Sequence, residues 1–318
     1  MLGLLLAMAS SLWLAMDMDK TLVFYDNQPI PSDVQLLPAS SGTGRVGFVG
    51  KETLNLLHAL EAVLPNLMCV SGQRAETMYQ RQPFFPSIKV WICENGGRAF
   101  HTTKSGGLEE DDSFVERLFA SVNPTIAYTE AVEKLSTLRA ALLGLGFEVD
   151  SGFKCMLRVK LPSLGEEGAA NRVIAQLPTQ FLSYTFNLGY LDVTLRGITK
   201  ASAIAAVVAA TEERHGSSQF IFMGDDDNDI CAADAATEVY VSNPHSVSMG
   251  RWLDHQKNKM HQKNKMSTSL ETNDSSCLVF SNENERGLPR LVAVPATHLQ
   301  GHLGAAALLR LIFQRVSQ

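Results

Sequence analysis

The chain has 318 residues, 45% of them hydrophobic and 19% charged, with a formal net charge of −6. That length suggests about two domains and enough apolar residues for a large core. The acidic balance argues against a nucleic-acid binder, which normally carries a basic surface, and the apolar N-terminus is too short to span a bilayer comfortably.

Residues 1–16 (MLGLLLAMASSLWLAM) run apolar with no Lys or Arg ahead of them. An export leader normally opens with positive charge, and cleavage after Ala15 would remove the strand that presents Asp17. The run is read as ending in a buried strand over 11–18, with residues 1–9 left open as a targeting segment. At its end stand Asp17 and Asp19. In a strand, positions i and i+2 share a face, and paired carboxylates make each other costlier to ionise. A divalent metal is the expected positive partner. D-x-D-x-T alone is a weak signal, because acidic pairs are common in turns.

A second apolar run, 64–72, closes on Ser71-Gly72 and is followed by the helix-like AETMYQRQ. Ser71 reads either as a helix N-cap or as a phosphate-oxygen ligand. Between 129 and 195 a helix-strand-strand unit occurs twice, in architecture rather than in letters. In the 153–161 strand, Phe153, Cys155, Leu157, Val159 and Leu161 share one face, and Lys154, Met156, Arg158 and Lys160 the other. In 190–195, Leu191, Val193 and Leu195 oppose Tyr190, Asp192 and Thr194. One face therefore packs on helices. The other is either solvated or the inner side of a lid over a polar, anionic ligand.

The stretch 200–215 reads as an amphipathic helix with Lys200 at its N-terminus. A cation there opposes the helix dipole, so an anion is expected beside it. A third strand, 219–224, runs into GDDDND. A helix N-terminus attracts one or two acids; it does not account for four within five residues. Hard carboxylate ligands of this kind suit Mg²⁺.

Residues 254–290 carry a tandem HQKNKM hexamer and a Ser/Thr/Asn/Glu-rich run, the composition of a disordered surface insertion. A strand over 291–295 and a closing helix over 304–316 follow. Five scattered cysteines without a C-x-x-C pair point to reduced thiols and a cytoplasmic setting. GTGRVG (42–47) follows no apolar strand and opens no helix, so it is not a dinucleotide fingerprint. His298 and His302 lack a third nearby ligand, and the Asn273 sequon matters only in a secreted protein.

Four of these features resemble, in order, the four motifs of the haloacid dehalogenase (HAD) superfamily: DMDKT, Ser71 in VSGQR, Lys200 in GITKASA, and GDDDND. The insert between the second and third is similar to the C2B cap of the Cof-type and sucrose-phosphatase-like branch, and CENGG (93–97) resembles an Asn-Gly turn of that branch. The resemblance implies a doubly wound, Rossmann-like α/β core over 1–104 and 196–318, with an inserted α+β C2B cap over 105–195. It implies Asp17 as the nucleophile and Asp19 as general acid, then base. Ser71, Gly72, Thr21, Lys200 and Asn228 would serve the phosphoryl group. Asp17, Asp19 through its carbonyl, Asp225 and Asp229 would hold Mg²⁺. The substrate contacts expected from the cap are Lys154, Arg158, Lys160, Tyr190 and Asp192. The chain departs from the family in two places: Lys20 stands where Gly or Asn is frequent, and Gln73 precedes Arg74 in the second motif. The expected activity is hydrolysis of a small phosphorylated metabolite, a sugar phosphate first. A phosphomutase of the same fold and a non-catalytic phosphate-ligand binder are the alternatives. Neither nucleic acid nor membrane is an expected partner.

Overall fold

The computed structural model describes residues 12–25, 31–161, 166–187, 190–215, 219–225, 227–242, 249–256, 278–280, 290–293 and 302–317. Residues 1–9, His298 and Asn273 lie outside this set, as do 257–277 and 281–289 of the segment expected to be disordered. The strands up to the insert are β1 (Leu12–Met16), β2 (Val34–Ala39), β3 (Val46–Gly50), β4 (Leu67–Val70), β5 (Val90–Cys93), β6 (Arg98–Thr102) and β7 (Leu108–Glu110). The insert holds β8 (Met156–Lys160), β9 (Leu182–Asn187) and β10 (Tyr190–Leu195). After it come β11 (Gln219–Gly224), β12 (Glu238–Val241), β13 (Leu278–Phe280) and β14 (Arg290–Ala293). The helices are α1 (Lys51–Val63), α2 (Ala75–Arg81), α3 (Phe114–Val122), α4 (Tyr128–Gly144), α5 (Glu166–Ile174), α6 (Lys200–His215), α7 (Ile230–Ala235), α8 (249–256) and α9 (His302–Val316).

Nine strands form one sheet in the order β13-β14-β12-β11-β1-β4-β5-β6-β7. Pairing is parallel from β14 to β5, with β13, β6 and β7 antiparallel at the edges. Alternate residues of the central strands enter two separate cores. Trp13, Ala15, Met68 and Val70 face helices α3, α6 and α7, while Leu14, Met16, Leu67 and Cys69 face α1, α2 and α9. Both faces are covered, which is why these strands read as unbroken apolar runs rather than as alternation. The first core continues through α4 into Leu157, Val159, Leu191 and Val193 of the insert, so insert and sheet share apolar packing.

The insert carries a three-stranded antiparallel sheet, β8-β10-β9. Its second helix-strand-strand unit matches the expectation. In the first unit one strand shrinks to a bridge at Val149, which pairs with Val159. Two further elements differ from the sequence reading. Strand β7, on the insert side of the boundary expected at 104/105, pairs with β6 in the large sheet. Strand β13, inside the segment expected to be disordered, pairs with β14. Short polar-flanked strands such as LEE and LVF carry too little periodicity to be read; their pairing partners create them. GTGRVG lies in the turn of the β2–β3 hairpin and enters β3, and no helix opens on it. No helix among the described residues is long and apolar enough to cross a membrane.

Candidate active site

Asp17, Ser71 and Asp225 each stand one residue beyond β1, β4 and β11, three adjacent parallel strands. The connections from β1 and from β11 leave in opposite directions here, toward β4 and β12, and the carboxyl edge at such a switch point is where open α/β sheets place ligands. Backbone bonds fix the tips: Asp17 N–H donates to Met223 O at 2.8 Å, and Ser71 N–H to Ile92 O at 2.9 Å.

Carboxylate oxygens of Asp17, Asp225 and Asp229 lie within 4.8 Å of one another, and all three residues are buried. The Asp225 N–H donates to Asp229 Oδ2 at 2.9 Å. A Cβ on Gly224 would meet that same oxygen at 2.6 Å, so the strand end must be glycine for the carboxylate to turn back onto it. Lys200, at the start of α6, donates to Asp17 Oδ1 at 2.7 Å and to Asp229 Oδ1 at 2.6 Å. These are the anions its helix-terminal position called for. Burial alone would lower the Lys200 ammonium, but the two carboxylates outweigh it and hold it well above the usual lysine range. Burial pushes Asp17 up to about 7; Lys200 opposes this, while Asp229 and Asp19 add to it. One ammonium faces three carboxyl groups, and the oxygens on offer are hard ligands. That donor set fits a divalent cation that prefers oxygen ligands.

Beside the cluster, Ser71 is buried and its Oγ accepts the Gln73 N–H at 3.2 Å. Arg74 rather than Ser71 precedes α2, and no side chain caps that helix, so the N-cap reading does not hold. A Cβ on Gly72 would lie 2.7 Å from Asn95 Oδ1. Asn95 in turn accepts from Asn228 Nδ2 and donates to Asp192 Oδ2, both at 3.3 Å. Thr21 is buried with its Oγ1 3.1 Å from Ser242 Oγ, so it ties the turn after β1 to the end of β12.

The Asp19 side chain stands outside the carboxylate cluster. Its Oδ1 accepts from Tyr25 Oη at 2.6 Å and from Gln73 Nε2, and lies 3.5 Å from Arg81 Nη1. Tyr25, Gln73 and Arg81 escape a sequence reading; the one hint was the departure at Gln73 in the second motif. Arg74 itself turns away, donating to Ser41 O at 2.8 Å and pairing with Asp150.

From the insert, Arg158 and Asp192 reach this edge. Arg158 grips Asp192 with Nε at 2.7 Å and Nη2 at 2.6 Å, and Nη2 also lies 3.4 Å from Gly72 O. Tyr190 packs its ring under the same guanidinium. The middle of the polar face of the β8-β10 sheet is covered rather than solvated: Met156 and Asp192 on it are fully buried, and both accept from Asn95 of the core turn. Lys154 and Lys160 are not brought to the site. Both are exposed, Lys160 Nζ pairing with Glu148 at 3.0 Å and Lys154 Nζ lying 3.9 Å from Glu110.

Glu94 was also not anticipated. It is fully buried, accepts the Lys154 and Cys155 N–H groups at 2.9 and 2.7 Å, and so ties insert backbone to the core turn. Burial pushes its carboxyl up, against the pull of those N–H groups and of Arg98. Glu94, Asn95 and Gly96 all have positive φ (54°, 55° and 107°), a run that only a tightly held turn sustains.

No family model and no curated protein sequence matches the chain. Among solved structures, it is similar to a sucrose-phosphatase from Synechocystis determined with sucrose and phosphate. That match has 14% identity and a TM-score of 0.56, covering 96% of this chain and 98% of that one. A HAD subclass IIB sugar phosphatase matches at 14% identity and TM-score 0.48, over 79% and 98%. An IMP-nucleotidase from Plasmodium falciparum matches at 13% and 0.49, over 80% and 69%. The fold argument rests on the first of these. The likeness is one of fold: a doubly wound sheet with an α+β insert, here with an acidic cluster at the switch point.

Proposed function

We propose that the protein is a Mg²⁺-dependent phosphatase that hydrolyses a small phosphorylated metabolite, a sugar phosphate first, through an aspartyl-phosphate on Asp17. The observation that carries this reading is Lys200 bridging Asp17 and Asp229, with Asp225 alongside, at three adjacent strand tips. Phosphoryl transfer asks a protein for positioning and for neutralisation of charge on the equatorial oxygens, and this edge offers both.

Mg²⁺ held by Asp17, Asp225 and Asp229, with the Asp19 carbonyl, would neutralise phosphoryl oxygens and favour ionised Asp17. The remaining chemistry belongs to the chain. An Asp17 carboxylate oxygen attacks phosphorus, and the ester P–O bond breaks with its electron pair going to the leaving oxygen. Asp19 protonates that oxygen. Water then attacks the aspartyl-phosphate, Asp19 takes a proton from it, and the P–O bond to Asp17 breaks to release inorganic phosphate. Lys200 and the Ser71 hydroxyl hold phosphoryl oxygens, and Asn228 and Asn95 keep the Gly72 turn in place. Arg158, Asp192 and Tyr190, packed over that turn, are the cap groups placed to select the substrate.

The test is phosphate release from a panel of sugar phosphates and an aryl phosphate, with Mg²⁺, with EDTA, and with Asp17→Asn. Turnover that needs both Mg²⁺ and Asp17, and falls by orders of magnitude without either, supports the reading. A folded, Mg²⁺-binding protein that releases no phosphate from any ester would overturn simple hydrolysis in favour of a mutase or a binding role.

A further inference from the structure

The group that must move protons, Asp19, is held in an unusual way. Only one of its two carboxylate oxygens is engaged. Oδ1 takes the Tyr25 hydroxyl and the Gln73 amide, with the Arg81 guanidinium 3.5 Å away, while no described residue donates to Oδ2. The carboxylate is 41% exposed, so Oδ2 is the oxygen open to a ligand.

The hydrogen-bond directions in this network are forced. Arg81 is a donor only. Its Nη1 donates to Gln73 Oε1 at 3.2 Å, which fixes the amide so that Nε2 faces Asp19. Its Nη2 donates to the Tyr25 oxygen at 2.6 Å, and Gln73 Nε2 lies 3.3 Å from that oxygen as well. With its oxygen accepting, Tyr25 has one direction left for its own hydrogen, towards Asp19 Oδ1. Tyr25 keeps that hydrogen, as a phenol does near neutral pH. The ring is clamped between the Arg81 and Arg45 guanidinium groups, with centroid distances of 5.4 and 5.0 Å.

Arg81 is expensive as a purely structural residue. It is fully buried, its Nε has no hydrogen-bond partner, and the carboxylate it faces is the half-exposed Asp19. A buried guanidinium with an unsatisfied N–H costs stability, which is tolerable where the group does something else.

We propose that Tyr25, Gln73 and Arg81 are positioning residues that saturate Asp19 Oδ1 and thereby leave Oδ2 as the single oxygen exchanging the proton with the leaving group and then with water. In the first half-reaction the Oδ2–H bond breaks as the leaving oxygen gains the proton. In the second, Oδ2 gains the proton lost by the attacking water, and the carboxylic acid is restored. This rests on the phosphatase reading above.

The experiment is kcat/KM for an alkyl phosphate, whose leaving group needs a proton, and for p-nitrophenyl phosphate, whose leaving group does not. It compares wild type, Asp19→Asn, Tyr25→Phe and Gln73→Met in Mg²⁺. Tyr25→Phe keeps the clamped ring and removes only the hydroxyl, and Gln73→Met keeps the chain length. Misplacing a catalytic group costs up to about 100-fold, so each variant should lose about 10–100-fold on the alkyl ester and less than about 3-fold on the aryl ester, in the pattern of Asp19→Asn. Equal losses on both esters in folded variants, or no loss on either, overturn the positioning role while leaving the phosphatase reading intact. A wild type inert towards both esters overturns both.

Discussion

The Lys200 ammonium lies 2.7 Å from Asp17 Oδ1, although 183 residues separate them in the chain. The pair is buried, and Lys200 reaches Asp229 as well. Removing one member of such a cluster leaves uncompensated charge, at a cost of about 3–5 kcal/mol. Lys200→Met should therefore lose stability of that order in EDTA and less in Mg²⁺, because a cation takes over part of the neutralisation. Urea denaturation in the two media checks this. An equal loss in both would mean that Lys200 and the metal do not serve the same carboxylates.

Metal addition makes a second prediction. A ligand at 100 times its Kd stabilises the folded state by about 2.7 kcal/mol. Saturating Mg²⁺ should raise the thermal midpoint of the wild type by several degrees, and Asp225→Asn should lose most of that rise. A midpoint that ignores Mg²⁺ would argue against a cation among Asp17, Asp225 and Asp229.

The strand tips were legible because each combines two signals, an apolar run and a chemically unusual ending. MCV-SG and IFMG-DDDND announce themselves in one dimension. Tyr25, Gln73 and Arg81 were not legible: each is an ordinary residue in a loop or short helix, and only tertiary folding brings them to Asp19 from up to 62 residues away. Alternation along β8 and β10 grouped the five cap candidates. It did not tell which would lie over the core. Arg158 and Asp192, mid-strand, reach the Gly72 and Asn95 turns, while Lys160, at the end of β8, and Lys154, two residues before its start, meet acids at the rim. The β13 strand and the β2–β3 hairpin were lost because propensity alone specifies neither.

Lys20 makes a separate test of backbone strain. It has a φ of 58°, in the left-handed region that costs an ordinary L-residue about 1–2 kcal/mol. The turn it occupies is fixed by Lys20 N–H to Val23 O at 2.7 Å and by Leu22 and Val23 N–H to Met18 O. Glycine adopts this conformation freely but loses more entropy on folding. Lys20→Gly should give a net stabilisation of about 0.5–1 kcal/mol, read as a rise in urea midpoint at unchanged slope. A fall would mean that the lysine side chain contributes more than its backbone costs.

At Gly72 core and insert meet: Arg158 Nη2 lies 3.4 Å from its carbonyl oxygen. A Cβ there would lie 2.7 Å from Asn95 Oδ1, well inside contact distance, and Asn95 is held by both Asn228 and Asp192. The methyl of Gly72→Ala must push the amide aside, which breaks the bond from Asn228 and loosens the one to Asp192, and with it the seat of Arg158. Overpacking of this kind costs about 1–3 kcal/mol. The displaced turn also carries Ser71, so phosphate release should fall about 10–100-fold. Gly144 at the end of α4 supplies the control: nothing lies within 4 Å of a Cβ there, so Gly144→Ala should leave the rate unchanged. If Gly72→Ala behaves like Gly144→Ala, the Asn95 bridge does not set the geometry of the phosphate edge.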